Sequence, residues 1–194
     1  MGAIANTAST NKPRKVRIFF GDLVHTWEKT SMWVAPLNVG LIGAYSKKIF
    51  GNEIEIKIFK APEIMIDAIK ENPPDVVALS HYVWNLNLND HVFGIAKAEN
   101  PFTLTVGGGP TFTLHNSTPI VSQRFFSKSK NCNSWVLDQG ELGFVDVLQK
   151  LIQHDFDVDA LKASKAVALN TNYVFNNELI NGPCERIRDV NQIP

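Results

Sequence analysis

The feature that most constrains the fold is a regular alternation of short apolar segments with segments of helical periodicity. The apolar segments are rich in β-branched and aromatic residues, as strands are, and the intervening segments place apolar residues at helical spacing. This alternation predicts a doubly wound, parallel, five-stranded α/β sheet of the Rossmann-like (flavodoxin-like) type, with helices on both faces. The predicted strands are residues 16–20, 53–59, 75–80, 102–106 and 134–138, and the predicted helices are residues 37–50, 62–71, 88–99 and 142–154.

The two ends of the chain differ from this central part. Residues 1–13 are small and polar, which predicts a disordered lead-in, and residues 14–154 are the predicted Rossmann-like domain. Two short strand candidates flank residues 170–172 (Asn-Thr-Asn), which predicts a short β-hairpin there. Because the last residues have no periodicity, we expect residues 155–194 to be this hairpin followed by a linker toward a downstream domain that the chain lacks.

Composition disfavours several classes of partner. With 19 basic and 19 acidic residues, the chain lacks the net charge expected of a protein that binds nucleic acid or an anionic membrane. No apolar run is long enough to cross a bilayer, and the first residues lack the apolar core of a signal peptide. The two cysteines, Cys132 and Cys184, are far apart and are expected to be free thiols. These observations predict a cytoplasmic chain with no nucleic-acid partner and no membrane partner.

The residues that directly follow the strands are the candidates for a functional site. In an open parallel sheet, ligands bind beyond the carboxyl ends of the strands, where the strand order reverses. The densest group of polar and aromatic side chains follows the third strand, where flat rings can line a broad planar ligand and polar tips can orient it. The alternative is that these aromatic residues only cover the next helix. The group consists of Ser80, His81, Tyr82, Val83, Trp84 and Asn85.

Glycines follow the fourth and fifth strands. Residues 107–110 (Gly-Gly-Gly-Pro) allow the backbone to approach a ligand closely, with a tight turn into the next helix as the alternative. Gly140 and Glu141 precede an apolar helix, and their alternative is a turn followed by an acid in the first helical turn. The sequence has neither a dinucleotide fingerprint after the first strand nor a Gly-Lys-Ser/Thr loop for phosphates.

These three motifs, in this order and at these strand ends, resemble the cobalamin-binding domain at the N-terminus of cobalamin-dependent radical S-adenosylmethionine enzymes. The resemblance covers about residues 14–153, and the hairpin with residues 188–194 resembles the segment that leads into the radical domain of that family. It implies a Rossmann-like domain that binds cobalamin base-off, which means that the dimethylbenzimidazole tail is detached from cobalt and buried beside the sheet.

The resemblance also implies roles for the candidate residues. Ser80 would bond the buried tail, and residues 82–85 would line the lower face of the corrin. Gly140 and Glu141 would border the same cleft. Room for the nucleotide tail would come from Gly107, Gly108, Gly109 and Pro110.

Two departures from related patterns limit what the chain can do. Corrinoid domains of the methionine-synthase type carry Asp-x-His-x-x-Gly after the first strand, and its histidine is the lower cobalt ligand; here Asp22 and His25 have the wrong spacing. We therefore predict no histidine lower ligand and no metal-ligating residue, with His81 acting only as a hydrogen-bonding neighbour. The radical family also needs Cys-x-x-x-Cys-x-x-Cys for its iron–sulfur cluster, which two cysteines cannot supply.

The predicted function is that of a cofactor-binding part rather than of a complete enzyme. The chain would bind cobalamin and present it to a radical S-adenosylmethionine active site, in cis or in trans, for methyl transfer. No catalytic residue is assigned, and S-adenosylmethionine and the cluster are expected only in a downstream domain. A fragment of a longer methyltransferase and a standalone corrinoid carrier both remain open. The alternatives are a doubly wound domain that binds a nucleotide or nucleotide-sugar, and a non-catalytic protein-interaction module.

Overall fold

A computed structural model describes residues 14–25, 34–112 and 118–194. The predicted lead-in, residues 1–13, lies outside the described residues. Strands and helices alternate as the sequence predicts, and two helices that were not predicted, Pro119–Lys128 and Val158–Ala163, add to the four predicted. The strands are β1 (Val16–Gly21), β2 (Ile54–Phe59), β3 (Val76–Ser80), β4 (Leu104–Gly108), β5 (Ser134–Val136), β6 (Thr171–Phe175) and β7 (Glu178–Asn181). The helices are α1 (Leu37–Phe50), α2 (Pro62–Glu71), α3 (Leu86–Glu99), α4 (Pro119–Lys128), α5 (Gly140–Gln153) and α6 (Val158–Ala163).

All seven strands lie in one sheet, in the order β2-β1-β3-β4-β5-β6-β7. The first five strands of the chain are parallel, which confirms the doubly wound α/β class. The predicted count of five is wrong for the sheet as a whole, because the C-terminal hairpin is not a separate appendage. It pairs antiparallel with β5, with Trp135 opposite Asn172 and Val136 opposite Thr171. This pairing satisfies backbone groups that β5 would otherwise expose as an edge strand.

The hairpin is also displaced from its predicted position. Its turn lies at Asn176 and Asn177, whose φ angles of 48° and 62° are the left-handed values of a two-residue type I′ turn. Asparagine adopts these angles more readily than most residues, which is the signal that the sequence carries at this turn. Residues 170–172, predicted as the turn, instead lead into and begin β6.

Side-chain alternation along the parallel strands builds two cores, one on each face of the sheet. One core faces α1 and α5, and α6 also packs against it through Val158 and Leu161. The other core faces α2, α3 and α4 and contains the fully buried Trp135 and Phe93. In β3 and β4, adjacent residues therefore belong to different faces, and this decides which of them can reach a ligand. The domain boundary at residue 154 stays a prediction.

Within the described ranges, no helix is long and apolar enough to span a membrane.

Candidate functional site

A cavity of about 320 Å³ opens beyond the carboxyl ends of β1, β3, β4 and β5, between α1 and α5. This is the switch point of the sheet, because β1 and β3 are neighbours while the chain connecting them passes through β2 at the edge. The walls are largely apolar, with Phe20, Ile42 and Phe144 among them. Six of the predicted site residues line the cavity: Ser80, Gly107, Gly108, Gly109, Gly140 and Glu141.

The three glycines at the end of β4 and directly after it differ in where a side chain would point. A Cβ atom at Gly108 would lie on the cavity side, 3.3 Å from the carbonyl oxygen of Val136. Gly109 has a φ of 116°, and a Cβ atom there would come within 2.6 Å of the carbonyl oxygen of His81. Gly107 contributes only backbone to the cavity, because its Cβ position points to the opposite face, 2.5 Å from the Trp135 ring. The lack of side chains therefore matters on both faces of the sheet: at Gly108 for the cavity and at Gly107 for the packing of Trp135.

Asn38, in the first turn of α1, ties the cavity wall together. Its side-chain Nδ2 donates to the hydroxyl oxygen of Ser80 over 2.6 Å and to that of Tyr82 over 3.0 Å. Its Oδ1 accepts a hydrogen bond of 2.8 Å from the backbone N–H of Val39. Burial raises the pKa of the neighbouring Asp22, and the charge of Lys60 and a hydrogen bond with Asn38 oppose that rise.

Tyr82, Val83 and Trp84 do not line the cavity wall, but they follow directly from Ser80. The rings of Tyr82 and Trp84 stack with centroids 4.6 Å apart, and the backbone oxygen of Trp84 hydrogen-bonds with the His25 ring. Val83 is 76% exposed and Trp84 is 59% exposed. Together they form an apolar platform, defined here as residues 82–84, that faces solvent.

His81 lies on the other face of the sheet. Its ring is 4.9 Å from the Trp135 ring and 5.6 Å from the Phe93 ring, and its Nδ1 hydrogen-bonds with the backbone oxygen of Leu79. Because a carbonyl oxygen can only accept, Nδ1 carries the hydrogen. Burial lowers the pKa of His81 to about 4, so the ring is neutral at physiological pH. The side chain is a core element and contacts no part of the cavity.

The two remaining predicted residues are also away from the cavity. Asn85 is fully buried, and its Nδ2 donates to the backbone oxygens of Leu23 and Ser80 while its Oδ1 accepts from the N–H of Tyr82. It thus fixes the turn that carries the platform. Pro110 is exposed and follows Gly109, whose positive φ suits glycine.

The first turn of α5 forms the wall opposite Ser80. Gly140 packs so closely against Ile42 of α1 that an added Cβ atom would collide with it, and Glu141 is buried beside it. The preceding Asp138 has a φ of 55° and accepts two hydrogen bonds from the Arg186 guanidinium. The side chain of Gln139 accepts a 2.6 Å hydrogen bond from the backbone N–H of Ile187. The C-terminal segment therefore holds this rim of the cavity.

Sequence reasoning missed the contribution of α1, whereas the residues just before α5 were candidates because they follow a predicted strand. Asn38, Val39 and Ile42 share the inner face of α1. Helical periodicity did not indicate this face, because Leu37 and Leu41 also lie at helical spacing and are exposed in the structure. Asp138 and Gln139 carried no signal beyond their position after β5. Among the described residues, no three His, Cys, Asp or Glu side chains lie close enough together to hold a metal ion. Cys132 is buried, Cys184 is exposed, and both are free.

Comparison with known proteins agrees with this picture. No protein-family model matches the sequence. The chain is 31% identical over 129 residues to 2-(S-pantetheinyl)-carbapenam-3-carboxylate methyltransferase of Streptantibioticus cattleyicolor, a match covering 61% of this chain and 17% of that protein. It is 29% identical over 132 residues to the cobalamin-dependent radical SAM methyltransferase TokK of Streptomyces tokunonensis, covering 65% of this chain and 18% of that protein. The chain thus spans less than a fifth of the length of these relatives.

The fold has a counterpart among solved structures. The cobalamin-dependent S-adenosylmethionine radical enzyme OxsB, solved with aqua-cobalamin and S-adenosylmethionine bound, superposes with a TM-score of 0.69 at 12% identity, covering 93% of this chain and 24% of OxsB. An OxsB structure with aqua-cobalamin alone gives a TM-score of 0.68. The resemblance inferred from the three motifs is confirmed: the homologues include a cobalamin-dependent radical SAM methyltransferase, and the fold is that of one part of OxsB.

Proposed function

We propose that this chain binds cobalamin, with the nucleotide tail of the cofactor in the cavity between α1 and α5 and the corrin over the platform of residues 82–84. The observation that carries the proposal is the cavity itself, a largely apolar space at the switch point of a sheet whose fold matches part of OxsB. The bound state would be base-off, because a tail buried beside the sheet is detached from cobalt. The chain would present the cofactor to a radical S-adenosylmethionine domain, in cis or in trans, for methyl transfer.

The size and lining of the cavity suit a bicyclic aromatic base. A dry cavity of about 150 Å³ already accommodates benzene, and this one has about 320 Å³. The aromatic and aliphatic side chains of Phe20, Ile42 and Phe144 can pack on the faces of a planar base. Ser80 offers a hydroxyl to an edge of the base, and the absence of a side chain at Gly108 leaves room for the ribose and phosphate that follow.

When bound, cobalamin would supply a cobalt centre that carries the methyl group. The residues of the chain would orient the cofactor and exclude water from the tail. The exposed apolar platform of Val83 and Trp84, stacked on Tyr82, would cover one face of the corrin. None of these residues is assigned a catalytic step, and the reaction would need a second domain.

The lower face of cobalt would have no histidine ligand. His81 points into the opposite core, and the His25 ring already hydrogen-bonds with the backbone oxygen of Trp84. Electron paramagnetic resonance of cob(II)alamin bound to the protein tests this point: we expect no nitrogen superhyperfine splitting. Splitting that disappears in His25→Ala would instead assign His25 as the lower ligand.

A nucleotide or nucleotide-sugar is the less favoured ligand because of the charges around the cavity. Among the described residues that line it, the charged side chains are Asp138 and Glu141, and both are acidic. A nucleoside diphosphate would bring at least two further negative charges without a lysine or arginine from those lining residues to meet them. A protein-interaction module would leave the cavity without a role, although the exposed platform is compatible with one.

The proposal also includes the absence of a nucleic-acid partner and a cytoplasmic location, and both are supported by composition rather than by the cavity. Zero net charge supports the absence of a nucleic-acid partner. The two free cysteines support a cytoplasmic location, where thiols stay reduced.

Retention of hydroxocobalamin through gel filtration tests the proposed function. The wild-type protein should elute with the corrinoid and show a shifted absorption spectrum. Gly108→Val should elute colourless, because its side chain would occupy the cavity, whereas Gly40→Val is the matched control, since a Cβ atom at Gly40 meets nothing within 4 Å. Colourless wild-type protein would refute the proposal. A melting temperature raised by nucleotides and unchanged by cobalamin would favour the nucleotide alternative.

A further inference from the structure

The hydrogen bonds of Asn38 determine how Ser80 can interact with a ligand. The backbone N–H of Val39 can only donate, so the Asn38 atom that it contacts must be the oxygen Oδ1. The other end of the amide, which faces Ser80, Tyr82 and the Asp22 carboxylate, is therefore the NH₂ group. This assignment follows from the hydrogen-bond partners and leaves no choice of amide orientation.

An NH₂ group has no lone pair available to accept a hydrogen bond, so the hydroxyl oxygen of Ser80 accepts from Asn38. The single hydrogen of that hydroxyl must then point elsewhere. Among the described residues, Asn38 is the only hydrogen-bond partner of this hydroxyl, and Ser80 is only 5% exposed and lines the cavity. Ser80 therefore presents a donor to the cavity.

We propose that Asn38 fixes Ser80 as a hydrogen-bond donor, so that the cavity selects cobamides whose lower base carries an unprotonated ring nitrogen. This inference rests on the proposed function and adds the class of ligand. Benzimidazole and purine bases have such a nitrogen once they are detached from cobalt. Phenolic lower bases have none, and they would leave a buried donor unsatisfied.

The test compares equilibrium dissociation constants for two probes, cobalamin and p-cresolyl cobamide, by quenching of tryptophan fluorescence. The quantity of interest is the ratio of the two constants in each variant divided by the ratio in the wild type. This double ratio cancels the free energy of detaching the base in free cobalamin, which is a property of the ligand. A merely structural role of Asn38 would weaken both ligands equally and leave the double ratio at one.

Asn38→Asp keeps the acceptor for Val39 and replaces the donor that faces Ser80 by an oxygen, which would accept the Ser80 hydrogen. We expect the preference for cobalamin to fall about tenfold, the effect of one buried hydrogen bond of roughly 1.4 kcal/mol. The measurement is made at mildly alkaline pH, so that the introduced carboxyl beside Asp22 is ionised. Asn87→Asp, the same change at an exposed position on α3, is the control and should leave the ratio unchanged.

Ser80→Ala provides the second line of evidence, since it removes the donor and differs from the wild type by one atom. It should lower the preference to the same extent, and adding Asn38→Asp to it should have no further effect, because both changes act through one hydrogen. An unchanged ratio in either single variant that still binds cobalamin would overturn the inference. Failure of the wild type to bind either cobamide would refute the proposed function instead.

Discussion

The space beyond the carboxyl ends of β3 and β4 differs between the two faces of the sheet. On the face of α2, α3 and α4, aromatic rings fill the space beyond β3 and β4: Trp135 lies 4.6 Å from Phe125 and 4.9 Å from His81, centroid to centroid, and its Nε1 donates to the backbone oxygen of Phe112. On the face of α1 and α5, the same strands end in Ser80 and Gly108, and a cavity of about 320 Å³ remains. One face is closed by packing and the other is left open.

This difference shows how a short motif can serve two purposes. Ser80 and His81 are adjacent in sequence, but strand alternation sends Ser80 to the cavity and His81 to the closed core. Gly107 and Gly108 are divided in the same way. We therefore expect changes on the closed face to alter stability and changes on the open face to alter ligand binding.

The largest effect is expected for Trp135→Ala on the closed face. Trp135 is fully buried and contacts three aromatic rings, those of His81, Phe112 and Phe125, so its removal should lower the free energy of unfolding by about 3–5 kcal/mol. Urea unfolding followed by circular dichroism measures this change. Phe102→Ala is the control, because Phe102 is 64% exposed and should have little effect. A loss below about 1 kcal/mol for Trp135→Ala would contradict a tightly packed closed face.

The next effect concerns pH. Burial lowers the pKa of His81 to about 4 in the folded protein, against 6.5 for an ordinary histidine. Between these values the unfolded chain binds more protons than the folded one, so stability should fall as the pH is lowered from 6.5 toward 4, by roughly 3 kcal/mol in total. His81→Phe should flatten this dependence, while His91→Gln on α3 should leave it intact. Equal slopes in the wild type and His81→Phe would show that His81 is not the responsible group.

Substitutions of the two adjacent glycines, Gly107 and Gly108, compare the two faces directly. In Gly107→Ala the new Cβ atom would lie 2.5 Å from the Trp135 ring, which predicts a loss of about 1–3 kcal/mol of stability. In Gly108→Ala the nearest atom, the Val136 oxygen, is 3.3 Å away, so stability should change less and cobalamin affinity should fall. Thermal melting and cobalamin titration of both variants check this. The opposite pattern would mean that the cavity is not the binding site.

The smallest effect is expected for Arg186→Ala at the rim. The Arg186 side chain is largely exposed where it contacts Asp138, and exposed ion pairs contribute little to stability. We expect an unchanged urea midpoint and a small decrease in cobalamin affinity, because the hydrogen bond between Ile187 and Gln139 still holds the rim. A large loss of affinity would show that the C-terminal segment has a greater part in shaping the cavity than its exposure indicates.

The parallel sheet was predictable because its five strands and four of the helices carry recognisable patterns, whereas α4 and α6 were not predicted. The hairpin was not placed correctly, since its position depends on the left-handed angles of Asn176 and Asn177 and on pairing with β5, a partner distant in sequence. Sequence reasoning identified the strand ends that border the cavity but could not divide their residues between the two faces. His81 is the clearest example, because its burial against Trp135 depends on a contact between residues 54 positions apart.

The role of Asn38 was beyond sequence reasoning for a related reason. Asparagine in the first turn of a helix is common and carries no specific signal. Only the approach of α1 to the end of β3 brings its amide to Ser80. A contact between side chains of two elements leaves no periodic signal in the sequence of either element.

The most direct test of the central claim compares cobalamin with cobinamide, which has the corrin but lacks the nucleotide tail. If the tail occupies the cavity, cobalamin should bind at least about 100-fold more tightly, since burying an aromatic group of roughly 150–250 Å² contributes several kcal/mol. Gly108→Val should remove most of this difference by lowering only the affinity for cobalamin. Equal affinities of the wild-type protein for cobalamin and cobinamide would contradict the claim that the open face of the sheet holds the tail.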